Sequence, residues 1–201
     1  MKWGMVIDLK RCIGCYGCQL SCKAENATPP GVFFARVLKR EEGSYPNVRH
    51  MFLPVLCNHC ADPACVTACP TGASFVWEEG GIVDIDADKC VGCRSCMMAC
   101  PYGNRYFNDK PQHYFEQGPT PYEAKQGAQH QTGVVMKCNF CRPRVQQGLA
   151  PACVANCPTV ARIFGDLDDP NSEVSRLIRE RGGFPLHPEL GTGPSVYYLP
   201  A

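Results

Sequence analysis

The stretch that decides the fold is Cys90–Pro101, which reads CVGCRSCMMACP. Its four cysteines follow the spacing C-x2-C-x2-C-x3-C, and a proline comes directly after the last one. The same cysteine spacing occurs near the start of the chain, at Cys12–Cys22. Two looser groups complete the set: Cys57–Cys69 has C-x2-C-x4-C-x3-C, and Cys138–Cys157 has C-x2-C, eleven residues, then C-x3-C. A four-cysteine unit that occurs four times predicts a repeated metal site.

Iron–sulfur chemistry fits this spacing better than zinc or disulfides. The run C-x2-C-x2-C-x3-C-P is the bacterial ferredoxin signature of a [4Fe–4S] cluster. A zinc-ribbon nucleic-acid or scaffold protein would pair C-x2-C with a distant C-x2-C and leave the third cysteine unused, and disulfides need an oxidising compartment. Gly14, Gly17 and Gly92 lie inside the tight runs, where a missing Cβ lets backbone N–H groups turn toward cluster sulfurs. The sixteen cysteines therefore predict four [4Fe–4S] clusters.

The gaps between the groups predict how they share clusters. In two-cluster ferredoxins the fourth cysteine of each run binds the other cluster, so runs must be paired. Only 20 residues separate groups two and three, against 34 between one and two and 37 between three and four. This favours a nested arrangement, in which groups two and three pair with each other and lie between groups one and four, which also pair. The alternative is a sequential pairing of group one with group two and of group three with group four. The nested ligand sets are cluster A, Cys12, Cys15, Cys18 and Cys157; cluster B, Cys138, Cys141, Cys153 and Cys22; cluster C, Cys57, Cys60, Cys65 and Cys100; and cluster D, Cys90, Cys93, Cys96 and Cys69.

The predicted fold class is α+β, with two nested ferredoxin-like modules that are rich in loops. The inserted module covers residues 57–100, and the outer module covers 1–56 plus 101–201. One late helix is predicted near Pro170 to Gly182, with its apolar face packed on the core rather than on a partner. Strands are predicted at Gly4–Asp8, Ser74–Trp77, Ile82–Ile85, Ala161–Gly165 and Val196–Leu199, the second and third forming a hairpin.

Several other features allow two interpretations. Residues 102–136 show little periodicity and are predicted to be a long loop, either a flexible surface loop or a segment that docks on another subunit. Arg11, Lys89 and Lys137 each precede the first cysteine of a run, where they either offset cluster charge or are solvated surface charges. His59 is predicted to lie near a cluster or at the surface without binding iron, because four cysteines already fill the site.

Composition excludes several classes of function. The 201 residues carry 20 Lys and Arg against 19 Asp and Glu, a net charge of +1 that argues against a general nucleic-acid binder. No apolar run is long enough for a transmembrane helix, and no export signal is recognised at the N-terminus. No nucleophile constellation or phosphate-binding loop occurs, so electron carriage without catalysis by this chain is predicted.

The motifs together resemble one family, the four-cluster iron–sulfur subunits of the dimethyl sulfoxide reductase family of molybdenum enzymes. Besides the cysteine runs, the resemblance rests on Ile7-Asp8, Cys57–Cys60 (CNHC), Cys69–Ala73 (CPTGA), Cys100–Gly103 (CPYG), Lys137–Cys141, Pro151–Val154 (PACV) and Phe164–Leu167 (FGDL). It implies electron transfer between a large molybdopterin catalytic subunit, holding Mo or W, and a quinone-reactive membrane subunit. It also implies the nested ligand pairing described above. A free-standing soluble polyferredoxin that serves other redox enzymes is the alternative function.

Finer features place the resemblance within the family. Gly165–Pro170 and Gly191–Pro194 are most similar to the arsenate type within the polysulfide, thiosulfate and arsenate reductase branch. Some relatives carry Trp for one cysteine of the third run and hold a [3Fe–4S] centre, whereas Cys93 and its neighbours are intact here. The family also implies export together with a signal-bearing partner and residence on the outer face of the cytoplasmic membrane, with the cytoplasmic face as the alternative.

Overall fold

The computed structural model describes residues 1–126 and 130–201, and these ranges hold ten strands and seven α-helices, all short. The strands are Trp3–Asp8 (β1), Ala35–Ser44 (β2), Asn47–Leu56 (β3), Ser74–Trp77 (β4), Ile82–Ile85 (β5), Tyr106–Asn108 (β6), Val134–Met136 (β7), Arg162–Asp166 (β8), Phe184–Pro185 (β9) and Val196–Leu199 (β10). The α-helices are Gly17–Asn26 (α1), Ala64–Thr67 (α2), Ser95–Ala99 (α3), Pro121–Gln126 (α4), Arg142–Val145 (α5), Ala152–Ala155 (α6) and Glu173–Arg181 (α7). None of these helices is long and apolar enough to cross a bilayer.

The largest sheet has the strand order β8–β1–β10–β9 and joins early and late parts of the chain. β1 runs parallel to β10 and antiparallel to β8, so that Val6 pairs with both Tyr197 and Ile163. Both faces of β1 are buried. Met5 and Ile7 face the main core, and Val6 faces a smaller cluster under α7.

Three hairpins complete the β-structure. β4 pairs with β5 and β6 with β7, each over a few residues. The β2–β3 hairpin is much longer, pairing Ala35 with Leu56 at its base and Ser44 with Asn47 at its tip. Its base is buried in the core, whereas Tyr45 at the tip is 94% exposed.

The late helix packs on the core, as predicted. Val174 is fully buried, and Leu177 and Ile178 pack against the same cluster under the main sheet. Gly182 ends the helix in the left-handed conformation. The predicted start is wrong, however, because Ser172 caps the helix through the backbone N–H of Ser175, and Pro170 lies before it.

One other prediction needs correction. The segment 102–136 is not a plain loop, because it contains β6, α4 and β7; its residues 127–129 lie outside the described residues. Helix α1, with ten residues, is slightly longer than the late helix α7, which has nine. The predicted strands are found; β1 begins one residue earlier than expected, and β8 lies one residue later. Short helices and strands surround the cysteine runs, which is compatible with the predicted α+β class.

Candidate metal centres

The C-x3-C spacing of each group is the spacing of a helical turn. The third cysteine of every group lies in a short helix, and the fourth follows four residues later, at or beyond its end in all but the first group. Because an α-helix has 3.6 residues per turn, this spacing directs the two side chains to the same side. The helical third cysteines are Cys18 in α1, Cys65 in α2, Cys96 in α3 and Cys153 in α6.

The loops before α1 and α3 share one backbone conformation. Gly14 and Gly92 have φ of +68° and +67°, and Tyr16 and Arg94, two residues later, have φ of +59° and +63°. A Cβ on Gly92 would collide with the carbonyl oxygen of Gly133. Gly14 and Gly92 thus adopt a conformation that favours glycine, whereas Gly17 is the first residue of α1. That their loops turn backbone N–H groups toward cluster sulfurs stays a prediction.

Two cavities are each lined by four thiols. One has an empty volume of about 380 Å³ and is lined by the cysteines of predicted set C: Cys57, Cys60, Cys65 and Cys100. The second has an empty volume of about 300 Å³ and is lined by those of set D: Cys69, Cys90, Cys93 and Cys96. The thiols surround space rather than a point, and in the described ranges no three His, Cys, Asp or Glu side chains are grouped for a single metal ion. A [4Fe–4S] cluster is bound through its four iron atoms, with one thiolate on each, so four thiols placed around a cavity suit it.

The cysteines of groups one and four also lie together. Cys12 lies close enough to Cys18 and Cys157 to interact with them electrostatically, as predicted set A requires. Cys22 has the same relation to Cys141 and Cys153, and Cys138 to Cys22, as set B requires. Helix α1 packs against α6, which carries Cys153. Which thiol binds which cluster stays a prediction.

Burial raises the pKa of several of the cysteine thiols, which favours their protonated form until metal binds. Desolvation, together with neighbouring cysteines, raises the pKa of Cys60 to about 11. Burial likewise raises the pKa of Cys141 to about 11 and that of Cys138 well above its ordinary value. Since the thiolate is the iron ligand, metal binding at these sites must displace protons.

Cys69 and Cys157 each precede a proline, and both accept hydrogen bonds that stabilise the thiolate form. Burial alone would raise the pKa of Cys69, but hydrogen bonds from the Ser74 backbone N–H, 3.3 Å away, and from Thr71 outweigh it and lower the pKa to about 7. Cys157 accepts from the backbone N–H of Ala161 at 3.3 Å, and its pKa is lowered in the same way despite burial. Hydrogen bonds to cluster sulfurs are one of the means by which proteins set cluster potentials.

The three basic residues that precede cysteine runs differ sharply. Arg11 and Lys89 are exposed and lie near Asp8 and Asp86, at 3.6 and 3.1 Å. Lys137 is only 5% exposed, and its ammonium group donates to the carbonyl oxygens of Val83 and Cys138. The first two are surface charges, so the role of offsetting cluster charge remains for Lys137.

His59 is fully buried and stacks on Phe140 with 3.7 Å between ring centroids. Its Nδ1 accepts the Val83 backbone N–H at 3.2 Å, so Nε2 carries the proton. Nε2 has no hydrogen-bond partner in the described ranges, and neither does the buried Nη2 of Arg162. Unpaired buried donors beside cysteine sets fit clusters, whose sulfurs accept hydrogen bonds.

Sequence reasoning missed two buried arginines that contact thiols. Arg105 donates to Cys65 Sγ at 2.9 Å, and Arg162 donates to Cys153 Sγ at 3.7 Å. A signal was present, because both arginines occur in the pattern Cys-Pro-x-x-x-Arg, at Cys100–Arg105 and Cys157–Arg162.

Comparisons with known proteins agree with this chemistry. A profile described as "4Fe-4S dicluster domain" matches residues 48–117 and 113–167. Similar proteins include the arsenate respiratory reductase iron–sulfur subunit of Shewanella sp., 40% identical over 99% of this chain and 96% of that protein. A sulfite dehydrogenase subunit of Allochromatium vinosum is 40% identical over 98% of this chain and 82% of that protein. A tetrathionate reductase subunit of Salmonella typhimurium is 41% identical over 98% of this chain and 72% of that protein.

Proposed function

Because the chain belongs to the family of iron–sulfur subunits of dimethyl sulfoxide reductase-type molybdenum enzymes, we propose that it conducts electrons between two partner subunits. One partner is a large molybdopterin catalytic subunit, with Mo or W, and the other is a quinone-reactive membrane subunit. The sixteen cysteines fit four [4Fe–4S] clusters, and each bound cluster supplies a one-electron carrier. Electron transfer, rather than catalysis, is the role of this chain.

The nested ligand sets are part of this proposal. Sets C and D are supported by the two cavities, each lined by the four cysteines of one set. Sets A and B are supported by the mutual proximity of Cys12 with Cys157 and of Cys22 with Cys153. Within each set the four thiolates would hold the metal.

Two nested modules, 57–100 inside 1–56 plus 101–201, follow from these sets. Helix α2 packs against α3, joining groups two and three, while α1 packs against α6, joining groups one and four. The two helix pairs thus repeat one arrangement at different sequence separations. The first domain match, 48–117, spans both groups of the inserted module.

The main support for this function is the exposure of two of the sixteen thiols at the protein surface. Cys15 of set A and Cys93 of set D are the two exposed cysteines in the described ranges, whereas every member of set B is buried. Electrons can enter and leave only where a carrier approaches the surface, so clusters A and D are the proposed ends of the chain of carriers.

Apolar side chains surround both proposed ends. Ile13 and Leu20, which flank Cys15, are 61% and 63% exposed, and Val91 and Met98, which flank Cys93, are 67% and 89% exposed. Exposed apolar groups of this kind are typical of subunit interfaces. Each end therefore has a surface on which a partner can exclude water around the nearest cluster.

Iron and sulfide analysis tests the cofactor content. Anaerobically purified protein is expected to be brown and to contain about 16 Fe and 16 acid-labile sulfides per chain. Native protein that holds zinc and no iron would refute the proposal.

Assembly is tested by pull-down from cells of the source organism. The tagged chain should bring down a molybdenum- or tungsten-containing subunit. Met98→Asp, at the cluster D end, should weaken capture of one partner, and Leu20→Asp, at the cluster A end, should weaken capture of the other. Val48→Asp, on the exposed part of the hairpin, is the matched control and should leave capture unchanged. Isolation of the chain alone, with full iron and no partner, would favour a free-standing polyferredoxin.

Location at the membrane through these partners, on its outer face after joint export, is the remaining part of the proposal. Cell fractionation with and without the large subunit tests it. The chain should reach the outer face only when its partner is present, and appearance there without the partner would contradict joint export.

A further inference from the structure

Three cationic side chains are buried in the protein without a carboxylate partner. Arg105 and Lys137 are each 5% exposed and Arg162 is 1% exposed. Within residues 1–126 and 130–201 none of them forms an ion pair with Asp or Glu. Burying an uncompensated charge is costly, so negative charge is required close to each of them. The clusters that the surrounding cysteines would hold as thiolates are the available source.

Arg105 lies between the cysteines of sets C and D. Its Nη2 donates to Cys65 Sγ at 2.9 Å, and its Nη1 is held by Ser74 Oγ at 2.7 Å. It is also in electrostatic contact with Cys57 of set C and with Cys96 of set D. One guanidinium therefore reaches two cysteine sets.

Arg162 has the same relation to sets A and B. Its Nη1 donates to Cys153 Sγ at 3.7 Å, and it is in electrostatic contact with Cys18 and Cys22. An arginine guanidinium is not deprotonated in proteins. Arg162 therefore places a cation between the two sets.

Lys137 occupies the junction between sets B and C. Its ammonium donates to the carbonyl oxygens of Val83 and Cys138, and its charge acts on Cys138 of set B and on Cys65 of set C. Cys138 and Cys57 also feel each other's charge across this junction. The four sets therefore follow the order A, B, C, D, with one cation at each junction.

We propose that Arg162, Lys137 and Arg105 form a series of fixed cations, one between each pair of successive clusters, that raises the reduction potentials of the clusters on both sides. The inference rests on the proposed function, because it needs clusters in the four cysteine sets. Reduction of a cluster adds one negative charge, and a nearby cation in a low-dielectric interior stabilises the reduced state.

The test is a redox titration of the purified complex, followed by EPR, with iron measured on every sample. Lys137→Gln should lower the equilibrium constant for reduction about tenfold at clusters B and C, equivalent to about 59 mV for a one-electron couple. Lys89→Gln is the matched control, because Lys89 also precedes a cysteine run but is exposed and paired with Asp86. It should leave the equilibrium constant for reduction of each of the four clusters within twofold of the parent protein.

The arginines give a second, independent pattern. Arg105→Gln should shift clusters C and D, and Arg162→Gln clusters A and B, so the two variants share no shifted signal. Arg105→Lys and Arg162→Lys retain the charge and should restore most of each shift. Gln keeps a hydrogen-bond donor at each position, so a shift reports the loss of charge. If a Gln variant loses iron, the Met variant at that position is titrated in its place.

The outcomes separate this inference from the proposed function. Iron-loaded variants whose potentials match the Lys89→Gln control would overturn the inference and leave the proposed function standing. Equal shifts of all four clusters by one variant would also overturn it, because the effect would then be global. A parent protein without iron would overturn both.

Discussion

Cys18 and Cys22 lie one helical turn apart in α1, yet they are predicted to bind different clusters. Cys22 lies near Cys141 and Cys153, whereas Cys18 is close to Cys12. Cys22→Ser should therefore damage cluster B and spare cluster A, and Cys18→Ser should do the reverse. EPR spectra and iron content of the two variants provide the measurement. Loss of the same cluster in both variants would contradict the nested pairing, and loss of cluster C from Cys22→Ser would favour sequential pairing.

Gly92 is a second residue on which one cluster depends. Gly92→Ala should reduce the iron content by about a quarter through loss of cluster D, because the new Cβ would collide with the Gly133 carbonyl oxygen. Gly72→Ala is a matched control: Gly72 also has φ of +67°, but nothing lies within 4 Å of its Cβ position. That variant should cost only the left-handed strain of about 1 kcal/mol and keep its iron. Equal iron in both variants would show that the collision is relieved elsewhere.

At the scale of single residues, the sequence is enough to predict four groups of ligand cysteines, because the spacing within each group is local. It cannot distinguish Lys137 from Lys89, since both directly precede a cysteine run. Their difference arises from what packs over them: β5 supplies the Val83 carbonyl to Lys137, whereas Lys89 faces solvent beside Asp86. Burial of a charge is a tertiary property. The repeated Cys-Pro-x-x-x-Arg pattern is visible in the sequence, but it does not by itself show that Arg105 and Arg162 are buried.

Among the elements, the strands with an apolar run were predictable and the β2–β3 hairpin was not. Beyond its buried base, β2 reads Lys39-Arg40-Glu41-Glu42, and β3 contains Pro54, a residue that usually argues against a strand. Helix α1 was missed for a different reason. Cys18 and Cys22 are its buried residues, and a cysteine that serves as a ligand gives no hydrophobic periodicity to read.

The segment between β6 and β7 is attached to its own chain at several points. The Tyr114 hydroxyl donates to the Thr28 carbonyl at 3.1 Å, and the Lys23 ammonium lies over the Tyr114 ring. Deleting residues 112–131 should weaken binding to the large subunit, if this segment docks, while leaving the iron content intact. Binding affinity and iron are measured on the same preparation, and unchanged affinity would remove the docking role. Tyr114→Phe, which removes only the hydroxyl, should bind normally.

For the whole molecule, the clusters are expected to act as part of the core. Seven cysteines, including Cys18, Cys57, Cys138 and Cys153, are buried among apolar side chains, and several belong to the main hydrophobic cluster. Without metal, four groups of thiols would leave cavities where the protein is otherwise packed. Burial on this scale couples metal binding to folding.

Removal of iron should therefore unfold the protein. Anaerobic treatment with a strong chelator is expected to abolish the cooperative thermal transition and most far-UV circular dichroism, and reconstitution with iron and sulfide should restore both. A metal-free protein that melts cooperatively at the original temperature would show that apolar packing alone holds the fold.

The position of β10 in the main sheet has a consequence for synthesis on the ribosome. Val196–Leu199 follows β1 by almost the full length of the described sequence, yet in the main sheet it lies between β1 and β9. One edge of β1 must therefore stay unpaired until β10 has been translated. Residues 57–100, by contrast, form one continuous stretch that is translated before group four. Cofactor insertion is thus expected to begin with the inserted module, and groups one and four are completed only after group four has been made.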